Sequence, residues 1–133
     1  MGALILDASV LIGLLDIADS HHAGSIDDVE AADRAGQELL VPASAYSEAL
    51  VAFARAGRVR EAREAIAAMG ITVTPLSATV AERASELRAR HERLRLPDAI
   101  VLATARELQA ELLTYDRRLA QTARKHREQV QDG

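Results

Sequence analysis

The sequence predicts a single domain in which helices cover both faces of a central parallel sheet, a three-layer α/β/α sandwich. Short apolar runs alternate with longer amphipathic segments along the chain, which is typical of strands joined by helical crossovers. A chain of 133 residues has the length of one hydrophobic core, and an apolar fraction of 49% is enough to fill that core. The sequence contains no cysteine, so no disulfide framework is expected.

Four apolar runs are predicted to form the strands. They cover residues 3–6, 39–41, 71–74 and 111–115. The first run is continuously apolar up to Asp7, as expected for a strand that is buried on both faces. Pro42 closes the second run, and the third is rich in β-branched residues. Because helical segments separate the runs, we expect right-handed crossovers and parallel pairing.

Amphipathic segments between these runs predict seven helices. They cover residues 9–15, 25–35, 45–56 and 58–69, a long segment after Ser77, residues 98–108, and a last segment from Asp116 to about residue 125. Ser44 and Ser77 each precede a helix and are predicted to be N-caps. The inner face of the long helix is predicted to continue to His91 and Leu94. The polar tail over residues 126–133 is expected to fray.

We expect neither a membrane span nor a signal peptide at the amino terminus. The apolar segment 3–15 contains Asp7 and ends at Asp16, so it is too short and too acidic to cross a bilayer. It also lacks the basic leader of a signal peptide. Together with the absence of cysteine, this predicts a soluble protein in the reducing cytoplasm.

Charge is distributed unevenly along the chain. The net charge of −4 argues against a basic surface over the whole molecule, which would indicate nucleic-acid binding. Residues 1–50 contain nine acidic residues and one basic residue, whereas residues 51–133 contain 11 acidic and 15 basic residues. Such asymmetry permits a local anion-binding face on an acidic protein, although most of these arginines are expected on solvated helix faces.

Four carboxylates are predicted to meet at one edge of the sheet. Asp7 follows the first strand and Asp116 follows the fourth, and the carboxyl ends of parallel strands form the ligand-binding edge of an open sheet. Glu48 lies near the start of the helix after the second strand. Asp98 begins the helix before the fourth strand.

Clustered carboxylates indicate a site for a hard divalent cation. Acidic side chains that lie close together repel one another and stay ionised only when positive charge is present. Oxygen ligands without histidine or cysteine favour Mg²⁺ or Mn²⁺. Such ions activate water and stabilise the leaving oxygen in phosphodiester cleavage.

Each acid also has an ordinary structural interpretation. Asp98 directly follows Pro97 and could simply begin a helix, and Glu48 could be a solvated surface charge. Asp116 could be a loop residue or an N-cap. Asp7 is the hardest to explain in this way, because an acid within an apolar run has no use in a buried strand unless it lines a site.

Four segments of the sequence resemble the PIN-domain ribonucleases, and among them the VapC toxins of bacterial toxin–antitoxin modules. These segments are Leu4–Ser9, Pro42–Glu48, Leu96–Ala105 and Leu113–Asp116. The resemblance covers residues 3 to about 124, and the order and spacing of the segments make it specific. Members of this family often end with a fifth short strand, so the sheet is expected to have four or five strands. Residues 128–133 contain only one apolar residue, which weighs against the fifth.

The resemblance implies a role for each acid. Asp7 and Asp98 match the main metal ligands, and Asp116 and Glu48 match positions that hold a second ion or its waters. Ser9 and Thr114 match small hydroxyl residues that orient these carboxylates. The implied reaction is Mg²⁺-dependent hydrolysis of RNA, with Mn²⁺ as a possible substitute, which leaves a 5′-phosphate and a 3′-hydroxyl.

The resemblance also implies the partners. They are an RNA substrate, a cognate VapB-type antitoxin, DNA reached only through that antitoxin, and a second copy of the chain. Apolar surface for the homodimer or the antitoxin is predicted on Ala45–Ala56 and on the stripe Val59, Ala62, Ile66 and Met69. Arg117 and Arg118 follow Asp116 and are candidates to contact RNA phosphates. The alternative is that they face solvent at the start of the last helix.

Two other classes of function stay open at this point. The first is a phosphotransfer or phosphatase domain with Asp7 as its nucleophile. Haloacid-dehalogenase relatives need a second aspartate at the position that Ser9 occupies in this sequence. Receiver domains need a lysine directly after a late strand, but the only lysine of this chain, Lys125, lies in the last predicted helix. The second is a non-catalytic binding module with the PIN fold.

Overall fold

The protein is described here from a computed structural model, which covers the backbone of residues 2–132 and the side chains of residues 2–125. Four strands and seven helices alternate along these residues. The strands are β1 (Ala3–Leu6), β2 (Glu38–Pro42), β3 (Ile71–Thr74) and β4 (Glu111–Leu113). The helices are α1 (Ala8–Leu15), α2 (His22–Arg34), α3 (Ala43–Arg55), α4 (Val59–Ala68), α5 (Ala78–Arg90), α6 (Leu96–Glu107) and α7 (Arg117–Asp132).

The four strands form one parallel sheet in the order β3-β2-β1-β4. β1 lies in the interior of the sheet, where Ile5 pairs with Leu40 on one side and with Leu112 on the other. The chain moves from β1 through β2 to β3 in one direction, and β4 then returns to the opposite side of β1. The predicted three-layer class with a central parallel sheet is therefore confirmed.

The core lies on both faces of β1. Ile5 and Leu6 are fully buried, as the continuous apolar run predicts for a strand covered by helices on each side. Helix α6 packs against β1, β2, β4 and α3. Its buried alanines, such as Ala99 and Ala103, allow the backbones to approach closely. This packing holds the amino terminus of α6 at the carboxyl edge of the sheet.

Several predicted helix boundaries are wrong by up to one turn. Helix α2 begins at His22 instead of residue 25, after a turn in which the Asp19 carbonyl accepts the His22 amide. Helix α5 ends at Arg90, and His91 is its C-cap with an extended ψ of 90°. Leu94 is buried, but it lies in the following turn and not on the helix.

Of the two predicted serine N-caps, the one at α3 is wrong and the one at α5 is confirmed. Ser44 was predicted as the N-cap of α3, but that helix begins at Ala43 with Pro42 at its N-cap, and the Ser44 hydroxyl has no hydrogen-bond partner in the described residues. Ser77 is confirmed as the N-cap of α5, since its hydroxyl accepts the Val80 amide at 3.2 Å.

At the carboxyl end, the described backbone continues as α7 to Asp132, so the sheet of residues 2–132 has four strands and no fifth. The frayed tail predicted for residues 126–133 stays a prediction, because the side chains after Lys125 lie outside the described residues. Within residues 2–132, no helix has the length and apolar character needed to cross a lipid bilayer.

Candidate active site

Asp7 and Asp116 lie at the carboxyl edge of the sheet, where β1 and β4 end side by side. Leu6 pairs with Leu113, and the Asp7 amide donates to the Leu113 carbonyl at 3.4 Å. The direction of the strand order reverses at β1, with β2 on one side and β4 on the other. Parallel sheets bind ligands in the crevice outside this reversal point.

The Asp7 carboxylate is buried and held by three hydrogen bonds. Its side chain sits at the N-cap of α1, where Oδ1 accepts the Val10 amide at 3.1 Å and the Ser9 hydroxyl at 2.6 Å. Its Oδ2 accepts the hydroxyl of Thr114. The residue is only 4% exposed. Because a carboxylate has about four acceptor positions, one position on Oδ2 is left for a further ligand.

Burial raises the pKa of Asp7 above its ordinary value. The hydrogen bonds from Ser9, Thr114 and Val10 act in the opposite direction, and the negative charge of Asp98 raises this pKa further. Asp98 is 91 positions away in the sequence, but the fold brings it within range for its charge to act on Asp7. The pair therefore forms a partly desolvated anionic centre that a cation would stabilise.

Glu48 and Asp98 are joined by an arginine that sequence reasoning missed. Arg95 is the N-cap of α6, and its Nε lies 3.4 Å from Oδ2 of Asp98 in the first turn of that helix. Its Nη2 lies 3.3 Å from Oε2 of Glu48 in the second turn of α3. The only available signal was that Arg95 precedes Asp98 by three residues, the spacing of helix neighbours.

Asp116 is linked to Asp7 through Thr114. The Asp116 amide donates to the Thr114 hydroxyl at 3.0 Å, and that hydroxyl donates in turn to Asp7. The Asp116 carboxylate caps α7, where its Oδ1 accepts the amides of Arg118 at 2.9 Å and Leu119 at 3.2 Å. Asp116 is therefore both at the predicted edge and an N-cap, as its ordinary interpretation proposed.

Tyr115 lies between Thr114 and Asp116 at this edge of the sheet, and the sequence did not predict its contacts. Its amide donates to the Ser9 hydroxyl at 3.0 Å, and its phenol donates to Asp28 on α2 at 2.7 Å. Its ring stacks on His21 with centroids 4.6 Å apart. Burial raises the pKa of Tyr115, and the hydrogen bond to Asp28 and the charges of Asp28 and Asp7 raise it further, so the phenol stays protonated and can donate. These contacts tie the α1–α2 turn to the β4–α7 turn.

The sequence matches the PIN domain family over residues 4–125. The chain belongs to this family. The resemblance seen in the sequence is thus confirmed, and it spans all four strands of the sheet. None of the curated proteins matches this sequence.

Solved structures similar to this PIN domain include three from bacterial toxin–antitoxin systems. A toxin–antitoxin complex from Klebsiella pneumoniae contains a chain with 25% sequence identity and a TM-score of 0.70, over 86% of this chain and 87% of that one. VapC20 from Mycobacterium tuberculosis, a toxin that cleaves the sarcin–ricin loop, has 20% identity and a TM-score of 0.69, over 89% and 93%. VapBC2 from Rickettsia felis, bound to a DNA fragment from its promoter, has 12% identity and a TM-score of 0.72, over 92% and 93%.

The four carboxylates of this PIN domain suit a hard divalent cation by their chemistry. All the donors are carboxylate or hydroxyl oxygens, which Mg²⁺ and Mn²⁺ prefer. The pair Glu48 and Asp98 already attracts the positive charge of Arg95. Within residues 2–125, no three acidic or histidine side chains stand together in a ready ion-binding group. Arg95 engages Glu48 and Asp98, and Asp116 caps α7. The metal-binding role of these residues stays a prediction.

Asp7→Asn is expected to change how the free energy of unfolding depends on pH. The folded-state pKa of Asp7 is raised, so wild type gains stability when this carboxyl is protonated and loses that gain as pH rises through the folded pKa. In metal-free buffer, wild type should therefore gain stability relative to Asp7→Asn as pH falls from neutral. At neutral pH the variant should be equally stable or more stable. Denaturant unfolding at a series of pH values measures this difference.

Asp33→Asn, at an exposed position of α2, is the matched control for the loss of one carboxylate. A difference between wild type and Asp7→Asn that stays constant across the acidic pH range would contradict the assignment of a raised pKa to Asp7.

Proposed function

We propose that this PIN domain is a Mg²⁺-dependent endoribonuclease that acts as the toxin of a toxin–antitoxin module. The observation that supports this most directly is the buried Asp7 carboxylate beside Asp98, held at the carboxyl edge of the sheet by the hydroxyls of Ser9 and Thr114. Buried anionic centres of this kind are characteristic of functional sites. The similarity to an RNA-cleaving toxin and to toxin–antitoxin complexes supports the proposed class of activity.

In this proposal, Asp7, Asp98 and Asp116 hold the ion, and Glu48 completes the acidic site. Bound Mg²⁺, or Mn²⁺ in its place, would lower the pKa of a bound water and stabilise the leaving oxygen of the phosphodiester. The protein keeps the Asp7 carboxylate in one orientation through three hydrogen bonds, so no reorganisation is needed when the site is used.

Arg117 and Arg118 are proposed to contact the phosphates of the RNA. Both side chains are exposed at the amino terminus of α7, directly after Asp116. A helix amino terminus carries partial positive charge, which adds to that of the two guanidinium groups. RNA binding at this end of the molecule would therefore weaken as salt concentration rises.

The proposed protein partner is a VapB-type antitoxin, through which the toxin would reach DNA. The similar structures support this, since one is a toxin–antitoxin complex and another is bound to promoter DNA. A homodimer and a cytoplasmic location also remain predictions. Ala62 and Ile66, half of the stripe predicted to form an interface, are buried within this chain, so only Val59 and Met69 of that stripe keep exposed surface.

Cleavage of RNA by the purified protein tests the proposed function. We expect cleavage of total cellular RNA in MgCl₂ at specific positions, loss of cleavage after removal of metal with EDTA, and recovery when Mg²⁺ or Mn²⁺ is restored. Sequencing of the fragments should find 5′-phosphates and 3′-hydroxyls. An Asp98→Asn preparation, purified identically, controls for contaminating ribonuclease.

Cleavage that persists in EDTA would contradict a metal-dependent reaction. Absence of cleavage in both metals would favour the non-catalytic binding module. The phosphatase alternative has less support, because three hydrogen bonds and 4% exposure leave Asp7 poorly placed to attack a phosphate.

A further inference from the structure

Among the side chains of residues 2–125, Arg95 is the cation that forms ion pairs with the acidic site. Among the ion pairs formed by residues 2–125, only those of Arg95 involve any of the four predicted site carboxylates. Its guanidinium spans two helices, with one nitrogen near Glu48 on α3 and another near Asp98 on α6. Asp98 is 19% exposed in its side chain, so the guanidinium reaches a carboxylate that is largely shielded from water.

The contacts of Arg95 with Glu48 and Asp98 have the features of ion pairs in which another cation can replace the guanidinium. Both N···O distances, 3.3 and 3.4 Å, exceed the 2.7–2.9 Å that is usual for strong charge-assisted hydrogen bonds. The arginine side chain is 64% exposed, so it can leave for solvent without opening the core. Exposed ion pairs of this kind contribute little stability. A divalent cation at the same oxygens would therefore displace the guanidinium at a small cost.

We propose that Arg95 competes with the divalent cation for Glu48 and Asp98, and so sets the metal affinity of the site. This inference rests on the proposed metal-dependent function. In metal-free protein the single positive charge of the guanidinium offsets part of the negative charge of the two carboxylates. When the ion binds, Arg95 moves to solvent at the rim of the site. Half-occupancy of the site then requires a higher divalent cation concentration than the carboxylates alone would require.

Titration of Mn²⁺ into metal-free wild type, Arg95→Gln and Arg93→Gln tests the competition. Arg93 is exposed and lies two residues earlier, so its variant removes the same charge from the same region and controls for a general change in electrostatic attraction. We expect Arg95→Gln to bind Mn²⁺ roughly 2- to 10-fold more tightly than Arg93→Gln, as the loss of two exposed ion pairs implies. Equal or weaker binding by Arg95→Gln would overturn the proposal.

A double-mutant cycle between Arg95→Gln and Glu48→Gln gives a second readout that does not involve RNA. The two residues should be coupled in thermal unfolding in EDTA, and the coupling should vanish at saturating Mn²⁺. Coupling that survives in Mn²⁺ would overturn the competition. If the affinity shift and the lost coupling are both seen in a protein that cleaves no RNA, the competition stands and the proposed ribonuclease function fails.

Discussion

Replacing Asp98 with asparagine is expected to reduce the rate of RNA cleavage by at least about 100-fold, or ~2.7 kcal/mol of transition-state stabilisation. The charge of Asp98 acts on the buried Asp7, so Asp98 would supply part of the negative charge that holds the ion. Asparagine has nearly the same shape but no charge, and it removes that attraction without a cavity. The measurement is the single-turnover rate of cleavage of an RNA that wild type cuts, at saturating Mg²⁺.

The fold of Asp98→Asn should remain intact. Removing the charge of Asp98 relieves its repulsion with Asp7, and it also removes the ion pair with Arg95, so the melting temperature should change little. Asp33→Asn, at an exposed position of α2, should cleave at the wild-type rate. A folded Asp98→Asn protein that cuts RNA as fast as wild type would show that the catalytic assignment is wrong.

Replacing Thr114 with valine is expected to reduce cleavage by roughly 10-fold or more and to lower stability by about 1–3 kcal/mol. The Thr114 hydroxyl donates to Asp7 and accepts the Asp116 amide, so it orients two of the four site residues. Valine keeps the volume of threonine but leaves a buried carboxylate with one donor fewer. Urea unfolding and the cleavage rate should both report the loss.

Thr122→Val is the matched control for this variant. The Thr122 hydroxyl bonds back to the backbone carbonyl of Arg118 within α7 and is not hydrogen-bonded to Asp7 or Asp116. Its replacement should leave the cleavage rate unchanged. If Thr114→Val matched Thr122→Val in both cleavage rate and stability, the hydrogen bond from Thr114 to Asp7 would contribute to neither, and the prediction would be wrong.

Much of the fold could be predicted because it depends on local patterns. The apolar run before Asp7, the β-branched run at 71–74 and the helical segments between them dictate alternation of strand and helix. Each helical crossover returns the chain to the same end of the sheet, so the strands are parallel. Helix ends were less predictable. Ser44 has the right residue type for an N-cap, but the chain leaves β2 directly into α3, and the helix begins two residues too early for Ser44 to be its N-cap.

The candidate site was likewise predictable in part: its location could be predicted from the sequence, but its long-range contacts could not. Its location followed from the sequence, because an acid at the end of a parallel strand must lie at the carboxyl edge, whichever residues surround it. The contacts of Tyr115 with Asp28 and His21 could not be predicted, since they join positions 87 or more residues apart in the chain. Such contacts depend on how α2 packs and on which rotamers fit there.

The sequence by itself therefore determined the fold class, the family and the position of Asp7 and Asp116 at the carboxyl edge of the sheet, because periodicity, chirality and residue type act locally or through general rules of sheet geometry. Only the tertiary structure decided that Asp7 is buried and held by three donors, that Asp116 caps α7, and that Arg95 bridges Glu48 and Asp98. The reason is that desolvation and ion pairing depend on distances between distant segments, which become defined only when the core is packed.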